Sequence, residues 1–352
     1  MPHRMRIVIA TDAWEPQVNG VVRTYQRVCE ELEKQGHQVR LITPNNYKTI
    51  PCPTYPEIRL ALVTANKISP ILQQEQPDRV HIATEGPIGW ATRRACLQNN
   101  MPFTTAYHTR FPEYVTKRLP LPINWVYSLV KRFHNAGNGT MVATNSLKNE
   151  LSDRGFADLM SWTRGVNTDL FRPRKSRLFG EGPVAIYVGR VAVEKNLEAF
   201  LGVPFEGKKV IVGDGPSLQQ LKKKYPCCHF TGAKIGEELA VCYSSSDVFV
   251  FPSLTDTFGI VLLEAMASGL PIAAYPVTGP IDIVEQGVTG VLDQDLSQAL
   301  NKAMKLNRAM CREKALEYSW ANCGKLFIEN LNRAKNNHAS GAKEISRPSV
   351  PV

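Results

Sequence analysis

With 352 residues the chain is long enough for two domains with separate cores, and 43% hydrophobic against 21% charged residues is the balance of a folded globular protein, not a disordered one. A formal net charge of +10 and a pI of about 9.2 suit an anionic partner and exclude nothing else. Eight scattered cysteines with no Cys-x-x-Cys pair argue against a disulfide framework or zinc site; no apolar run is long enough for a bilayer, and Met1-Pro-His-Arg leads straight into a strand without a secretory signal.

Residues 6–10 read as a first strand, followed by a loop from Asp12 to Gly20 with Asn19-Gly20 in it. Val21, Val22, Tyr25, Val28, Cys29 and Leu32 then share one face at helical spacing, Gly36 closes the helix, and residues 39–43 form the next strand. This is a strand–helix–strand unit of a doubly wound α/β sheet. Gly20 marks either a close approach of backbone to a ligand or a tight turn. The alternation continues with strands at 59–63, 79–83 and 102–107 and helices at 68–76 and 86–99. His108 ends the strand Pro102–Tyr107, where open α/β sheets gather ligands, although a lone His is more often packed or solvated than catalytic.

Residues 116–134 mix Leu, Ile, Trp, Tyr and Phe with Lys117, Arg118, Lys131 and Arg132. Trp125 and Tyr127 suit the headgroup layer of a membrane and the four cations suit anionic lipid; the alternative is a half-buried helix with a solvated basic end. The charge is uneven: residues 1–165 carry +7 and the remainder +3. Residues 140–144 read as the last strand of the first half, Asn145-Ser146 caps a helix to about Arg154, and residues 173–183 read as a linker.

The second half restarts the pattern with a strand at 184–188 ending in Gly189-Arg190, and Glu194-Lys195-Asn196 opens a helix. Arg190 and Lys195, five apart around that loop, can face one phosphate, or they are a solvated loop pair. A strand at 209–212 runs into Gly213-Asp-Gly-Pro216, which lacks a third glycine and reads as a tight turn. A short strand at 229–231 leads to Gly232-Ala-Lys-Ile235. The apolar strand Val248–Phe251 precedes Ser253–Thr257, a loop with several capping side chains, and then an apolar helix ended by Gly269 and Pro271. Amides at such a helix start favour an anion. Asp256 lies in the loop, and Glu264 stands eight residues on among apolar neighbours, where a carboxylate needs a partner: a structural Arg, or sugar hydroxyls that donate to it. Further strands fall at 271–275 and 287–292. Asp293-Gln-Asp295 is either a metal pair or a helix start. Helical patterns run from Leu296 to Phe327, broken near Ser319-Trp320.

Pro252 to Gly269 resembles the nucleotide-sugar signature of the retaining GT-B glycosyltransferases of family four, two acids eight residues apart around a Phe-Gly and an apolar helix. Asp256 stands where most members have Glu, one methylene longer. The resemblance implies two Rossmann-like doubly wound domains facing a central cleft. Residues 1–165 would form the acceptor domain and 166–320 the donor domain. A final helix, 321–334, would return to the first domain, with 335–352 a disordered tail. It implies that Glu264 holds the donor ribose, that the backbone of Phe258, Gly259 and Ile260 lies on the diphosphate and sugar, and that Ala233, Lys234 and Ile235 meet the base. Gly189, Arg190 and Lys195 would hold and neutralise the diphosphate, and Asn19, Gly20 and Val21 match the loop after the first strand that contacts phosphate or acceptor. His108 matches a His near the donor sugar and acceptor, so the catalytic set would be His108, Asp256, Arg190 and Lys195. Arg164-Gly-Val-Asn-Thr-Asp-Leu-Phe171 resembles the interdomain segment, with Arg164 in place of Asn.

The reading is a metal-independent, retaining hexosyltransferase that uses a UDP- or GDP-linked sugar and no cofactor. Its acceptor is a membrane lipid such as diacylglycerol, and its place the cytoplasmic face of the cell membrane, bound peripherally. The nearest pattern within the family is that of bacterial glycolipid synthases and α-mannosyltransferases. The alternative is mannose transfer from GDP-mannose to a glycan or phosphoinositide. An epimerase or hydrolase on the same frame is a different class, separated by nucleotide release without acceptor. Nucleic acid is not an expected partner, since no basic helix with base-reading side chains stands out.

Overall fold

The computed structural model describes residues 4–17, 20–52, 55–108, 111–116, 121–254 and 258–345. They divide into two compact units, one running to Thr163 and resuming at Cys323, the other from Arg164 to Asn322.

The first unit begins β1 (Arg6–Ala10), α1 (Gly20–Lys34), β2 (Gln38–Ile42). β1 is buried on both faces, which its unbroken apolar run dictates, and α1 covers it with Val22, Tyr25, Val28, Cys29 and Leu32. Leu32 is fully buried, and truncating it to Ala would cost about 2–5 kcal/mol. A hairpin follows, β3 (Thr49–Cys52) with β4 (Tyr55–Ala61). The strand expected at 59–63 is thus the end of β4, and it pairs antiparallel with β3, outside the main sheet. A short turn can join only antiparallel neighbours, and no crossover helix lies between β3 and β4.

The doubly wound pattern resumes with α2 (Ala65–Glu75), β5 (Arg79–Ile82), α3 (Pro87–Gln98) and β6 (Phe103–Tyr107). It continues through α4 (Phe111–Thr116), α5 (Ile123–His134), β7 (Thr140–Val142), α6 (Asn145–Asp153) and β8 (Leu159–Ser161). β8, not β7, is therefore the last strand of this half; three residues with one buried side chain make too short a pattern to read. The sheet is all parallel in the order β2-β1-β5-β6-β7-β8, so the winding reverses between β1 and β5.

The second unit runs β9 (Val184–Val188), α7 (Leu197–Gly202), β10 (Lys208–Val212), α8 (Leu218–Lys224), β11 (His229–Gly232), α9 (Gly236–Ser244) and β12 (Val248–Phe251). It ends α10 (Ile260–Ala267), β13 (Ile272–Ala274), α11 (Pro280–Ile283), β14 (Gly290–Leu292), α12 (Leu296–Ala303) and α13 (Arg308–Leu316). Its parallel sheet has the order β11-β10-β9-β12-β13-β14, the six-stranded Rossmann order, with the switch point between β9 and β12. Residues 173–183 are held within this unit: Arg174 pairs with Glu237, and Ser245 Oγ reaches Ser176 Oγ (2.8 Å) and the Leu178 amide (3.2 Å).

The last helix, α14 (Trp320–Ile345), continues past Ala334, the end that the resemblance implies, and takes in residues 335–345 of the expected disordered tail. From Cys323 onward it belongs to the first unit, where Phe327 packs on Trp162 (ring centroids 5.0 Å apart) and Trp162 Nε1 donates to the Cys323 carbonyl at 3.2 Å. Both parallel sheets carry helices on their faces, so the chain has the two-Rossmann architecture that the sequence implies.

Candidate active site

In the second unit the loops after β9 and β12 flank the switch point, where a doubly wound sheet opens a crevice at its carboxyl edge. The β9 loop is fixed from below. Tyr187, buried at the end of β9, donates its hydroxyl to the Arg190 carbonyl at 2.9 Å. The Val191 amide donates to the Asp214 carbonyl at 2.9 Å, tying this loop to the Gly213-Asp-Gly turn after β10. The contact is tight enough to exclude any side chain at Gly213, whose Cβ would stand 1.8 Å from the Gly189 carbonyl oxygen.

Lys195 ends a single 3₁₀ turn, Val193–Lys195, and Asn196 follows in the left-handed region with φ 52° before α7 starts. Asn tolerates that conformation, and here its Nδ2 donates to the Pro252 carbonyl at 3.2 Å. The bond ties the Lys195 loop to the loop after β12. Arg190 extends its side chain into solvent, 67% exposed, and pairs loosely with Glu194 at 3.9 Å. Such a pair contributes well under 1 kcal/mol and is readily exchanged for a phosphate.

On the β12 side, Ser253 is fully buried and its hydroxyl has no hydrogen-bond partner among the described residues, a cost of about 1–3 kcal/mol. Phe258 is buried, and Gly259 turns the chain into α10 with φ +80°, which a side chain would strain. α10 is apolar except for the half-buried Glu264, whose Oε2 accepts from Tyr243 at 2.9 Å. The structure thus gives Glu264 a tyrosine hydroxyl where the sequence suggests a structural Arg as the alternative to sugar. Arginines do hold the far end of α10: Arg312 Nη1 donates to the Ala267 carbonyl at 2.9 Å and Arg308 Nε to that of Gly269 at 3.0 Å. Cations belong at a helix carboxyl end, and they fix the helix whose other end faces the switch point.

Farther along the sheet, after β11, Ala233 and Ile235 are exposed and Lys234 Nζ stands 3.3 Å from Glu238. Asp295 caps α12 by accepting from the Ser297 and Gln298 amides at 2.9 and 3.4 Å, and Asp293 pairs with Lys302 at 3.1 Å. Among the described residues no group of three His, Cys, Asp or Glu side chains could hold a metal ion.

In the first unit the switch point lies between β1 and β5, and Asp12 sits there. It is buried, with its carboxylate on the first turn of α3, accepting from the Ile88 and Gly89 amides at 2.8 and 3.2 Å and from the Thr84 hydroxyl at 2.9 Å. Burial outweighs those bonds and raises its pKa to about 6. At the end of β6, His108 Nε2 stands 2.8 Å from the Tyr25 hydroxyl, which stands 2.8 Å from His81 Nε2; His81 Nδ1 reaches Thr104 Oγ1 at 2.8 Å. A second buried set lies beside it: Glu85 Oε1 is 3.0 Å from His134 Nε2, and His134 Nδ1 is 2.7 Å from Thr105 Oγ1. Gly20 and Val21 form the first turn of α1.

α5 corrects part of the expected membrane surface. Tyr127 is buried, not interfacial: it lies on the inner stripe with Val126, Val130 and Phe133, its hydroxyl bonds Glu113 at 2.5 Å, and Arg154 covers its ring at 3.9 Å. Lys131 is half-covered and donates to the Arg154 carbonyl at 3.3 Å. The outer face carries Ile123, Trp125, Leu129 and Arg132, with Trp125 72% and Leu129 52% exposed. Asn19, Lys117, Arg118 and Asp256 lie outside the described residues.

The structure therefore assembles Gly189, Arg190, Lys195, Phe258, Gly259, Ile260 and Glu264 around one switch point. Ala233, Lys234 and Ile235 follow β11, at the edge of the same sheet, and His108 and Gly20 belong to the first unit. Sequence reasoning missed Asp12, Tyr25, His81, Glu85, His134, Tyr187 and Tyr243. Only Asp12, just past β1, and Glu85, just past β5, carry a positional signal.

Two Rossmann-like units, the second with a cationic loop and a helix start at its switch point, make up the GT-B architecture. Residues 18–170 match the family model described as Glycosyltransferase Family 4, and residues 182–306 match Glycosyl transferases group 1. A GDP-mannose-dependent alpha-mannosyltransferase of Corynebacterium glutamicum is 31% identical over 317 residues, 82% of this chain and 76% of that one. An alpha-monoglucosyldiacylglycerol synthase of Streptococcus pneumoniae is 28% identical over 375 residues, 92% and 85%. A sulfoquinovosyl transferase of Arabidopsis thaliana is 30% identical, over 78% of this chain and 61% of that one. In fold, Anabaena HepE in complex with UDP superposes with a TM-score of 0.72 at 15% identity, over 93% of this chain and all of that one. The chain belongs to glycosyltransferase family 4.

Proposed function

We propose that the protein transfers a hexose, with retention and without a metal, from a UDP- or GDP-linked sugar to a membrane lipid such as diacylglycerol. The observation that carries the donor half is the pair of loops at the β9/β12 switch point, locked together by the Asn196–Pro252 bond. One Lys, one Arg and the start of α10 flank the same crevice there, a set suited to a diphosphate. Glu264, with Tyr243 beneath it, suits a sugar hydroxyl. Asp256 and His108 complete the proposed catalytic set, and Asn19, Gly20 and Val21 the loop that meets phosphate or acceptor.

In the proposed reaction the acceptor oxygen attacks C1 of the sugar from the face that the nucleotide leaves. The bond from C1 to the phosphate oxygen breaks, and the acceptor proton passes to that oxygen. Arg190 and Lys195 stabilise the charge that builds there.

The lipid half rests on the outer face of α5, where two large apolar side chains stand in water beside a cation. No described helix is long and apolar enough to cross a membrane, so the proposed association is peripheral. The likeness to a monoglucosyldiacylglycerol synthase supports this reading, and the likeness to GDP-mannose-dependent enzymes supports a second one, mannose transfer to a glycan or phosphoinositide. Incubation with a panel of UDP- and GDP-sugars, with and without dioleoylglycerol in anionic vesicles, tests both. Nucleotide release that rises with the lipid supports transfer to it; release that is equally fast without acceptor points to a hydrolase and overturns it.

A further inference from the structure

Tyr25 Oη stands 2.8 Å from His81 Nε2 and 2.8 Å from His108 Nε2. A phenol carries one hydrogen and donates it to one imidazole at most. The other ring must turn an N–H toward the phenol oxygen, or two lone pairs would face each other at hydrogen-bond distance. The phenol comes from α1, His81 from β5, and His108 from the end of β6, so three elements meet at one oxygen.

His81 is sealed in. Its ring lies against Phe327 of α14, edge-on with centroids 4.9 Å apart, and against Trp162 at 6.2 Å. Burial lowers its pKa to about 3, so it is neutral and carries one N–H. With the Tyr25 hydrogen on one of these two bonds, two arrangements satisfy the four groups. If His81 Nδ1 donates to Thr104, its Nε2 accepts from Tyr25, and His108 donates through Nε2. If Thr104 donates to His81 Nδ1, its Nε2 donates to Tyr25, and Tyr25 donates to His108 Nε2, which leaves the His108 proton on Nδ1.

We propose that Tyr25 is a positioning residue for His108, fixing its ring and coupling its tautomer to that of the buried His81. The tautomer of His108 is then linked to a proton held in the core of the first unit. A lone imidazole at a sheet edge would sample two faces and two tautomers; this one is held to a single orientation by a ring 0% exposed. The proposal rests on the reading that His108 takes part in transfer.

The test is the long-range ¹H–¹⁵N correlation spectrum of the full chain labelled with ¹⁵N-histidine, at about pH 8.5 where neutral rings dominate. His108→Asn and His81→Gln assign the two rings. The expected result is a matched pair, His81 Nδ1–H with His108 Nε2–H or His81 Nε2–H with His108 Nδ1–H, and in Tyr25→Phe a mixture at His108. With the donor and acceptor that the panel identifies, Tyr25→Phe should lower kcat by about tenfold or more with donor KM within about twofold. Mismatched or averaged tautomers in the unaltered protein overturn the coupling, and so does a Tyr25→Phe spectrum identical to it at His108. Unchanged turnover in His108→Ala sinks the role of His108 instead, and leaves the tautomer result to decide the coupling.

Discussion

Tyr243 donates its hydroxyl to Glu264 across 2.9 Å, from a ring with no exposed surface. Phe171 and Phe249 pack on that ring, with centroids 5.6 and 5.9 Å away. An ionised carboxylate on an apolar helix loses hydration, and one charge-assisted bond recovers about 1.5–3 kcal/mol of it. A carboxylate can accept more than one bond, and sugar hydroxyls are suitable donors. The bond therefore keeps the carboxylate tolerable within the fold, and the proposed contact with a sugar hydroxyl uses its remaining acceptor capacity.

Glu264→Ala should abolish measurable binding of UDP and GDP, a loss of about a hundredfold or more, with an unchanged circular dichroism spectrum. Tyr243→Phe keeps the ring packing and loses the bond, and should weaken binding about tenfold. Titration calorimetry with both nucleotides reads each loss. Wild-type affinity in a folded Glu264→Ala protein removes Glu264 from the donor site.

Asp12 predicts a pH dependence of stability. Its pKa is raised from 3.8 to about 6 by burial, so the folded chain binds this proton more tightly than the unfolded one. The resulting stabilisation is present in full below about pH 4 and is lost as pH rises through about 6, a change of about 3 kcal/mol. In Asp12→Asn the dependence is absent. The difference in urea unfolding free energy between the two proteins, measured from pH 4 to pH 8, should drift toward the variant by that amount. A flat difference would falsify the assignment.

Much of the fold, and the proposed donor site, is legible in the sequence alone. Apolar strands at 6–10, 184–188 and 248–251 announce themselves because parallel strands are buried on both faces, and the Pro252–Gly269 signature marks the proposed donor site because its residues are local in sequence. What stays hidden is tertiary. Tyr25 reads as one more apolar position on the inner stripe of α1, and nothing in its spacing shows that its hydroxyl ends between two histidines 56 and 83 residues away. Tyr127 and Trp125 are two residues apart on one helix, so the same local pattern that suits a membrane also suits a core. Only the packing shows that Tyr127 is turned inward and Trp125 outward.

The Asp-x-Asp sequence makes a negative prediction. Asp295 is a helix cap and Asp293 is paired with Lys302, so neither arrangement calls for a divalent cation. Asp295→Ala should cost about 1 kcal/mol of stability and leave turnover within about twofold, and turnover should survive excess EDTA. Loss of activity on chelation, restored by Mg²⁺ or Mn²⁺, would contradict metal-independent transfer.

The α5 surface separates lipid contact from folding within one helix. Fully burying a side chain the size of Leu contributes about 1.5–3 kcal/mol, so Trp125→Ala with Leu129→Ala should weaken sedimentation with anionic phosphatidylglycerol vesicles about tenfold or more. Arg132→Glu should weaken it further at low salt and little at high salt, because an exposed cation acts through a screened field. None of these should move the unfolding midpoint, since all three side chains face water. Tyr127→Ala should do the opposite, lowering stability by about 3–5 kcal/mol through a core cavity and the lost Glu113 bond. Vesicles that fail to bind the unaltered protein, or that bind the Trp125/Leu129 variant equally well, would leave the acceptor to be sought among soluble glycans.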